Sequence, residues 1–98
     1  MMIQTGQFER GENQPSANAG GDTSTFEQVN FPQAFPAGSQ VQVFATVQTF
    51  NGRDTPGIRV ADVNEEGFKI RMNEIVIEGN ATGGTRVSET IGWMAIAN

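Results

Sequence analysis

Carboxylates are the main reactive side chains available to this chain, because it contains no histidine, cysteine or tyrosine. It therefore lacks the commonest general base, a thiolate nucleophile and any cysteine ligand for zinc. No Ser-His-Asp or Cys-His arrangement can be assembled from the residues that remain. What is left is the chemistry of an Asp/Glu pair or of a calcium site. We therefore expect no enzymatic activity, no catalytic residue, no cofactor and no metal centre.

Asp22, Glu74 and Glu78 are the carboxylates that such a remaining activity would use. A glycosidase needs two carboxyl groups at a set separation across the scissile bond, and sequence spacing does not establish that separation. Calcium loops repeat oxygen ligands at alternate positions, and no Asp-x-Asp-x-Asp run occurs here. A carboxylate-based hydrolase or a calcium-dependent module is accordingly the weakest of three functional hypotheses.

The charge balance argues against nucleic acid as a partner. Six Lys and Arg residues face eleven Asp and Glu residues, for a net charge of −5, which repels phosphate backbones and anionic lipid surfaces. No apolar run approaches the roughly 18 residues of a membrane-spanning helix, so membrane insertion is not expected. The first residues, from Met1 to Gly6, have neither the basic nor the apolar character of a secretion signal.

Alternating apolar and polar residues indicate the elements that must position any site. Residues 40–48 alternate valine and alanine with mainly polar neighbours, which is the clearest strand prediction. Shorter strands are predicted around 58–63, 68–73 and 87–95. The alternation of apolar residues shifts by one position at Ile75 and Ile77. Helical periodicity is nearly absent, apart from a short turn predicted around 26–29.

Turn signals separate these strands and suggest the architecture. They lie at Asn51-Gly52, at 64–67 and at a predicted hairpin tip at 79–84. About five or six strands at this spacing predict an antiparallel sandwich or barrel. With 98 residues the chain has room for one core, so we predict a single domain, 1–98.

Three further features bear on function. Residues 11–25 are so rich in Gly, Asn, Pro, Ser and Asp that they predict a long loop, which is either a binding loop or a solvated connector. Phe44 interrupts the polar face of its strand and shares that face with Phe50, so a second subunit or a loop is expected to cover it. Trp93 shares parity with Ile91 and is predicted to lie in the core.

Several short segments resemble, in order, the successive landmarks of the H-type lectin domain, and the resemblance spans nearly the whole chain. The ending, from Thr85 to Ile96, is similar to that of bacterial and bacteriophage relatives. The segments are Thr5-Gly6-Gln7-Phe8, Val29-Asn30-Phe31-Pro32, the strand at 41–49, Ile58-Arg59-Val60, Gly67-Phe68-Lys69 and Ile91-Gly92-Trp93-Met94-Ala95-Ile96.

The resemblance implies a six-stranded antiparallel β-sandwich that forms a homotrimer and binds sugars in clefts between subunits. By the same resemblance, Gly21 and Asp22 fall at the loop whose aspartate accepts hydrogen bonds from sugar hydroxyls, and Arg59 falls at the arginine that donates them. The family's aromatic platform is replaced by Asn73 and Glu74, followed by Ile75 and Val76. Asn73 and Glu74 are therefore candidate substitutes at the altered rim.

Two functional hypotheses follow from the resemblance. The first is a carbohydrate-binding module that recognises a surface glycan or polysaccharide, in which trimerisation raises a weak single-site affinity by avidity. The second is a structural or adhesive bacteriophage component, such as a tail fibre, spike or capsid-decoration protein, that uses the same trimer as a scaffold. Both place the chain outside a cell or on a virion surface.

Overall fold

The structure is a computed structural model that describes residues 1–74 and 86–98, and within them the chain forms strands and loops without a helix. The predicted all-β class is confirmed. The described part of the chain contains no helix long and apolar enough to span a membrane. The strands are β1 (Met2–Glu12), β2 (Glu27–Asn30), β3 (Val41–Val47), β4 (Pro56–Ala61), β5 (Gly67–Glu74) and β6 (Arg86–Ala97).

The strands form two antiparallel sheets of three strands each. In the first sheet β6 lies between β1 and β3, and in the second sheet β5 lies between β2 and β4. A register shift interrupts the pairing of β1 with β6 between Arg10 and Glu12. Just after this shift, the carboxylate of Glu12 lies 3.6 Å from the guanidinium of Arg71 of β5 in the second sheet.

The core lies between the two sheets, because the apolar residues at alternate positions of the central strands β5 and β6 face the space between them. Every second residue of β6, from Ile91 to Ala97, is buried, and so are Phe68, Ile70 and Met72 of β5. The rings of Phe68 and Trp93 meet edge to face with their centroids 5.5 Å apart. The predicted core position of Trp93 is therefore confirmed.

A segment between β2 and β3 closes one side of this core. Phe31 and Phe35 are both buried, and their rings lie 5.0 Å apart. The backbone amides of both residues donate to carbonyls of the turn before β5, at Glu66 and Glu65. Aromatic side chains from outside the regular strands thus complete the interior.

Several strand predictions hold and one is wrong. The strand at 40–48 is confirmed as β3, and those at 58–63 and 68–73 correspond to β4 and β5. The turn predicted around 26–29 is instead the strand β2, because its residues pair with β5 from Glu27 opposite Ile70 to Asn30 opposite Gly67. The parity slip at 75 and 77 and the hairpin tip at 79–84 lie outside the described residues.

The outer face of the first sheet is nearly uncharged. Its outward residues include Ile3 of β1, Phe44 of β3, and Met94 and Ile96 of β6. The strand pairing places Ile3 beside Ile96 and Phe44 beside Met94. Ile3 and Phe44 are 54% and 55% exposed in the single chain. The predicted cover over Phe44 is therefore not supplied by a described segment of this chain.

Gly6 is required by the packing of the core. It lies opposite Trp93, and a Cβ at this position would come within 2.5 Å of the indole Cζ2. The indole cannot retreat easily, because the rings of Phe31 and Phe68 pack against it with centroids 5.7 Å and 5.5 Å away. Gly6→Ala should therefore lower the free energy of unfolding by about 1–3 kcal/mol, as overpacking does.

Urea denaturation tests this expectation, with Gly20→Ala as the matched control. No atom lies within 4 Å of a Cβ built at Gly20, so this variant should stay within about 0.5 kcal/mol of the native chain. Equal stabilities for the two variants would contradict the packing described for Trp93.

Candidate functional site

A long loop, residues 13–26, lies against the outer face of the second sheet, and we call it the anchored loop. The side chains that hold it come from the outward positions of β5. Arg71 is fully buried there, and its guanidinium donates to Thr25 Oγ1 at 2.6 Å and to the carbonyls of Gln14 and Pro15. One buried cation thus binds both ends of the anchored loop.

Asn73 holds the middle of the anchored loop. Its Oδ1 accepts from the Ala17 amide at 3.1 Å, and its Nδ2 donates to the Ala17 carbonyl at 2.9 Å. The same Oδ1 also accepts from Arg71 Nε at 2.8 Å. Because an amide side chain has few further hydrogen-bonding positions, Asn73 is committed to the loop.

Glu12 supplies the negative charge that a buried guanidinium needs. Its Oε2 lies 3.6 Å from Arg71 Nη1 and 3.0 Å from Arg10 Nη2, and its side chain is only 7% exposed. Burial raises the pKa of Glu12, but the hydrogen bond from the Gln14 amide and the charges of Arg71 and Arg10 outweigh it and hold the pKa below 4.5. Glu12 is therefore ionised when the chain is folded at neutral pH.

The anchored loop and the end of β4 enclose a cavity of about 210 Å³, which we call the loop cavity. Its walls include Gly21 and Asp22 on one side and Arg59 on the other. The backbone of Gly21 has φ 84°, a left-handed conformation that favours glycine. The turn formed there, with the Asp22 amide donating to the Ala19 carbonyl at 3.0 Å, exposes the Asp22 side chain.

Asp22 is an ionised acceptor at the wall of the loop cavity. Hydrogen bonds from the Ser24 hydroxyl and amide lower the pKa of Asp22, and the amide lies 3.0 Å from Oδ1. These bonds also fix the orientation of the carboxylate. A fixed carboxylate suits recognition of a ligand that presents hydroxyl donors.

Arg59 lines the same cavity and makes no side-chain hydrogen bond or ion pair within the described residues. It points outward from β4 directly opposite Arg71, and like charges on paired strands repel. Glu12 neutralises Arg71 but not Arg59. An acceptor placed in the loop cavity would therefore find an available planar donor in Arg59.

Lys69 ties the anchored loop to the end of β4. Its Nζ lies 3.3 Å from Thr23 Oγ1 and 3.3 Å from Asp62 Oδ2. Asp62 has φ 50°, a conformation that aspartate tolerates better than most residues. The half-buried ring of Phe26 also lines the cavity and gives it an apolar wall.

The predicted site residues therefore fall into two groups. Gly21, Asp22 and Arg59 are brought together on the loop cavity, whereas Asn73 lies beneath the anchored loop and is 7% exposed. Glu74 ends β5, and its side chain, like the whole of Glu78, is outside the described part of the structure. Among the described residues, no cluster of three acidic side chains is arranged to hold a metal ion.

Two residues that hold the anchored loop, Lys69 and Arg71, were not predicted from the sequence as site residues. They alternate with the core residues of β5 on the same strand face as Asn73, which was predicted as a rim residue and instead lies beneath the loop. A signal was present, because three large polar residues on one strand face can bond to the backbone of a long loop that is rich in Gly, Asn, Pro and Ser. Phe26 was missed because it was assigned to a turn.

Comparison with models of known protein families, with characterised protein sequences and with solved structures finds no match to this chain.

The lowered pKa of Glu12 makes stability depend on pH in a defined direction. The stabilisation from ionised Glu12 is complete above its ordinary pKa of 4.5 and is lost as the pH falls through the lower pKa of the folded chain. Glu12→Gln should therefore lower the free energy of unfolding by about 2 kcal/mol at pH 7. The difference from the native chain should shrink as the pH falls below about 4.5.

Urea midpoints of the two chains, measured from neutral to acidic pH, test this expectation. A constant difference across the whole range would show that Glu12 is not the titrating partner of Arg71.

Proposed function

We propose that the chain is a carbohydrate-binding, lectin-like module with the sandwich fold of the H-type lectins, which acts multivalently as a homotrimer in surface or receptor recognition. The observation that carries this proposal is the loop cavity, where Gly21, Asp22 and Arg59 converge from separate parts of the chain. Two stacked three-stranded sheets support the sandwich.

The chemistry of the loop cavity suits a sugar better than an ion. Asp22 offers charged acceptors, and Arg59 offers donors in a planar fork, so that neighbouring hydroxyls of one ring can bind both. The ring of Phe26 supplies an apolar wall for the carbon face of the sugar. It does so without the aromatic platform that the family carries at the positions of Asn73 and Glu74.

The preformed conformation of the anchored loop also supports carbohydrate binding. Arg71 and Asn73 hold the anchored loop from below, and Lys69 holds it from the side. A loop that is already ordered loses little conformational entropy when a ligand binds. Asn73 therefore acts as a positioning residue, and the direct contacts are assigned to Asp22 and Arg59.

Assembly as a trimer would bury the nearly uncharged outer face of the first sheet. Interface centres are depleted in charged residues and enriched in aromatic residues and methionine. This face carries exposed Phe44 and Ile3 beside Met94 and Ile96. Because the loop cavity lies on the second sheet, each sugar site would lie within one chain and not in the cleft between subunits that the resemblance implies. Three such sites on one assembly would raise a weak single-site affinity by avidity on a glycan-bearing surface.

A glycan array with purified chain and variants tests the sugar site. Asp22→Ala and Arg59→Ala should each weaken binding about tenfold or more, because each removes charge-assisted hydrogen bonds worth about 1.5–3 kcal/mol. Arg59→Lys should fall between native and Arg59→Ala, because it keeps the charge and loses the planar fork. Glu66→Ala is the matched control and should bind normally, because Glu66 is an exposed carboxylate in the turn before β5, outside both the loop cavity and the first sheet.

Absence of binding to every glycan, or equal binding by native chain and Asp22→Ala, would contradict the proposed site.

Sedimentation equilibrium tests the trimer. The native chain should have three chain masses, and Phe44→Glu should have one, because a buried unpaired carboxylate opposes association. Val63→Glu is the matched control, since Val63 is also an exposed apolar residue but lies in a turn outside this face. A monomeric native chain, or a Phe44→Glu variant that stays trimeric, would exclude this interface.

The second candidate is a structural bacteriophage component that uses the trimer as a scaffold. The nearly uncharged outer face of the first sheet favours it independently of the loop cavity. Trimers that bind no glycan on the array would support this role and exclude carbohydrate binding.

A further inference from the structure

A second cavity opens between the end of β3 and the start of β4, and we call it the edge cavity. Its volume is about 520 Å³, within the roughly 300–1,000 Å³ of typical ligand sites, whereas the loop cavity is smaller. It lies toward the other end of the edge strand β4 from the loop cavity, because residues 56–58 line the edge cavity and residues 59–61 line the loop cavity. The two cavities share no lining residue.

We propose that the edge cavity is a second saccharide subsite, which takes one uncharged pyranose ring stacked on Phe50. The inference deepens the proposed carbohydrate binding and rests on it for the class of ligand. The two cavities use different residues, so each can be tested without the other.

Phe50 is the residue that marks the edge cavity as a recognition site. Its side chain is 89% exposed and forms part of the cavity wall. An isolated exposed phenylalanine is unremarkable on a mobile segment, but here the backbone on both sides is held. A rigid, solvent-facing aromatic ring is ready to receive a flat apolar partner at low entropic cost.

Glu89 holds the backbone around Phe50. This carboxylate is 3% exposed and accepts from Thr49 Oγ1 at 2.7 Å, from the Asn51 amide at 2.9 Å and from the Gly52 amide at 3.0 Å. The hydrogen bond from the Thr49 hydroxyl, together with those from the two amides, lowers the pKa of Glu89. Residues on both sides of Phe50 are thus bound to one ionised group of β6.

Gly52 allows this loop to lie close to β6. A Cβ at Gly52 would come within 2.6 Å of Val87 Cγ2. The Asn51 side chain adds a further tie by donating from Nδ2 to the Ser88 carbonyl at 3.0 Å. The loop that presents Phe50 is therefore packed and hydrogen-bonded to the first sheet.

The charges around the edge cavity select an uncharged ligand. Arg53 Nε lies 3.6 Å from Asp54 Oδ1, so the cation and the anion at the rim offset each other. The Glu89 charge is already satisfied by its three donors. Neither a strong anion nor a strong cation finds an uncompensated opposite charge here.

The shape of the lining selects a ligand with one apolar face and a hydroxyl-bearing edge. Val47 and Ile58 are half-buried and give the cavity an apolar base. Thr55 adds a hydroxyl to the lining beside the Arg53–Asp54 pair, whereas the Thr49 hydroxyl is already bonded to Glu89 and to the Thr90 amide. A pyranose has this division between its carbon face and its hydroxyls, so it can stack on Phe50 while its hydroxyls bind the rim.

Chemical-shift mapping on the full ¹⁵N-labelled chain tests the inference, with N-acetylgalactosamine, galactose, glucose and mannose as probes. At least one of these sugars should shift the amides of Gly52, Thr55 and Gly57, which line the edge cavity. Phe50→Ala should weaken that effect about fivefold to tenfold, as expected for loss of an aromatic contact of about 1 kcal/mol or slightly more. Phe50→Tyr keeps the ring and should retain it.

Asp22→Ala separates the two sites. In this variant the shifts around Phe50 should persist while those at the loop cavity are lost. Shifts confined to the loop cavity, or shifts at Gly52 and Gly57 that Phe50→Ala leaves unchanged, would overturn the second subsite and leave the proposed function standing. Shifts confined to the edge cavity would support the subsite and overturn the site at Asp22, and no shifts with any sugar would overturn both.

Discussion

Arg71 carries a positive charge on a side chain with no exposure to solvent, so the protein must supply every interaction that water would otherwise give. Glu12 provides the opposite charge, and the anchored loop provides two carbonyls and a hydroxyl. The loop is held in place because its carbonyls and hydroxyl are the acceptors for the buried guanidinium. A segment rich in Gly, Pro and Asn, with little intrinsic preference for order, thereby obtains one conformation.

The period-two alternation of β5 connects this constraint to the rest of the fold. Phe68, Ile70 and Met72 point into the core between the sheets, while Lys69, Arg71 and Asn73 point into the anchored loop. One strand therefore organises both the hydrophobic interior and the polar layer outside it. The loop cavity lies at the margin of that polar layer, where Arg59 of the neighbouring strand remains without an ionic partner in the described structure.

The hydrophobic part of this arrangement could be predicted from sequence. Alternation located β3 and β5, and the parity of Ile91 placed Trp93 in the core. β1 was not predicted, because its inward row consists of Met2, Gln4, Gly6 and Phe8 and so lacks a continuous apolar signal. Gly6 in particular is dictated by the distant Trp93, and no local pattern reveals a contact between residues so far apart in the chain.

The candidate site was predictable only in its outermost parts. Asp22 and Arg59 were nominated through a family resemblance, and they do line one cavity. Lys69 and Arg71 beneath them were not nominated, because a charged face on an alternating strand usually points to solvent, and Asn73 was nominated only as a rim residue. Such a face is covered only if a long loop packs against it. The position of the loop depends on long-range contacts such as the one between Arg71 and Pro15, which local sequence patterns do not reveal.

The affinity of Asn73→Ala for the strongest glycan from the array tests most directly whether the buried polar layer shapes a sugar site at its margin. This variant removes both hydrogen bonds to Ala17 and leaves Asp22 and Arg59 in place. If the anchored loop positions the site, a folded Asn73→Ala chain should bind that glycan about tenfold more weakly, since a change of about 1.4 kcal/mol in loop order is enough. An unchanged Kd in the folded variant would contradict the account.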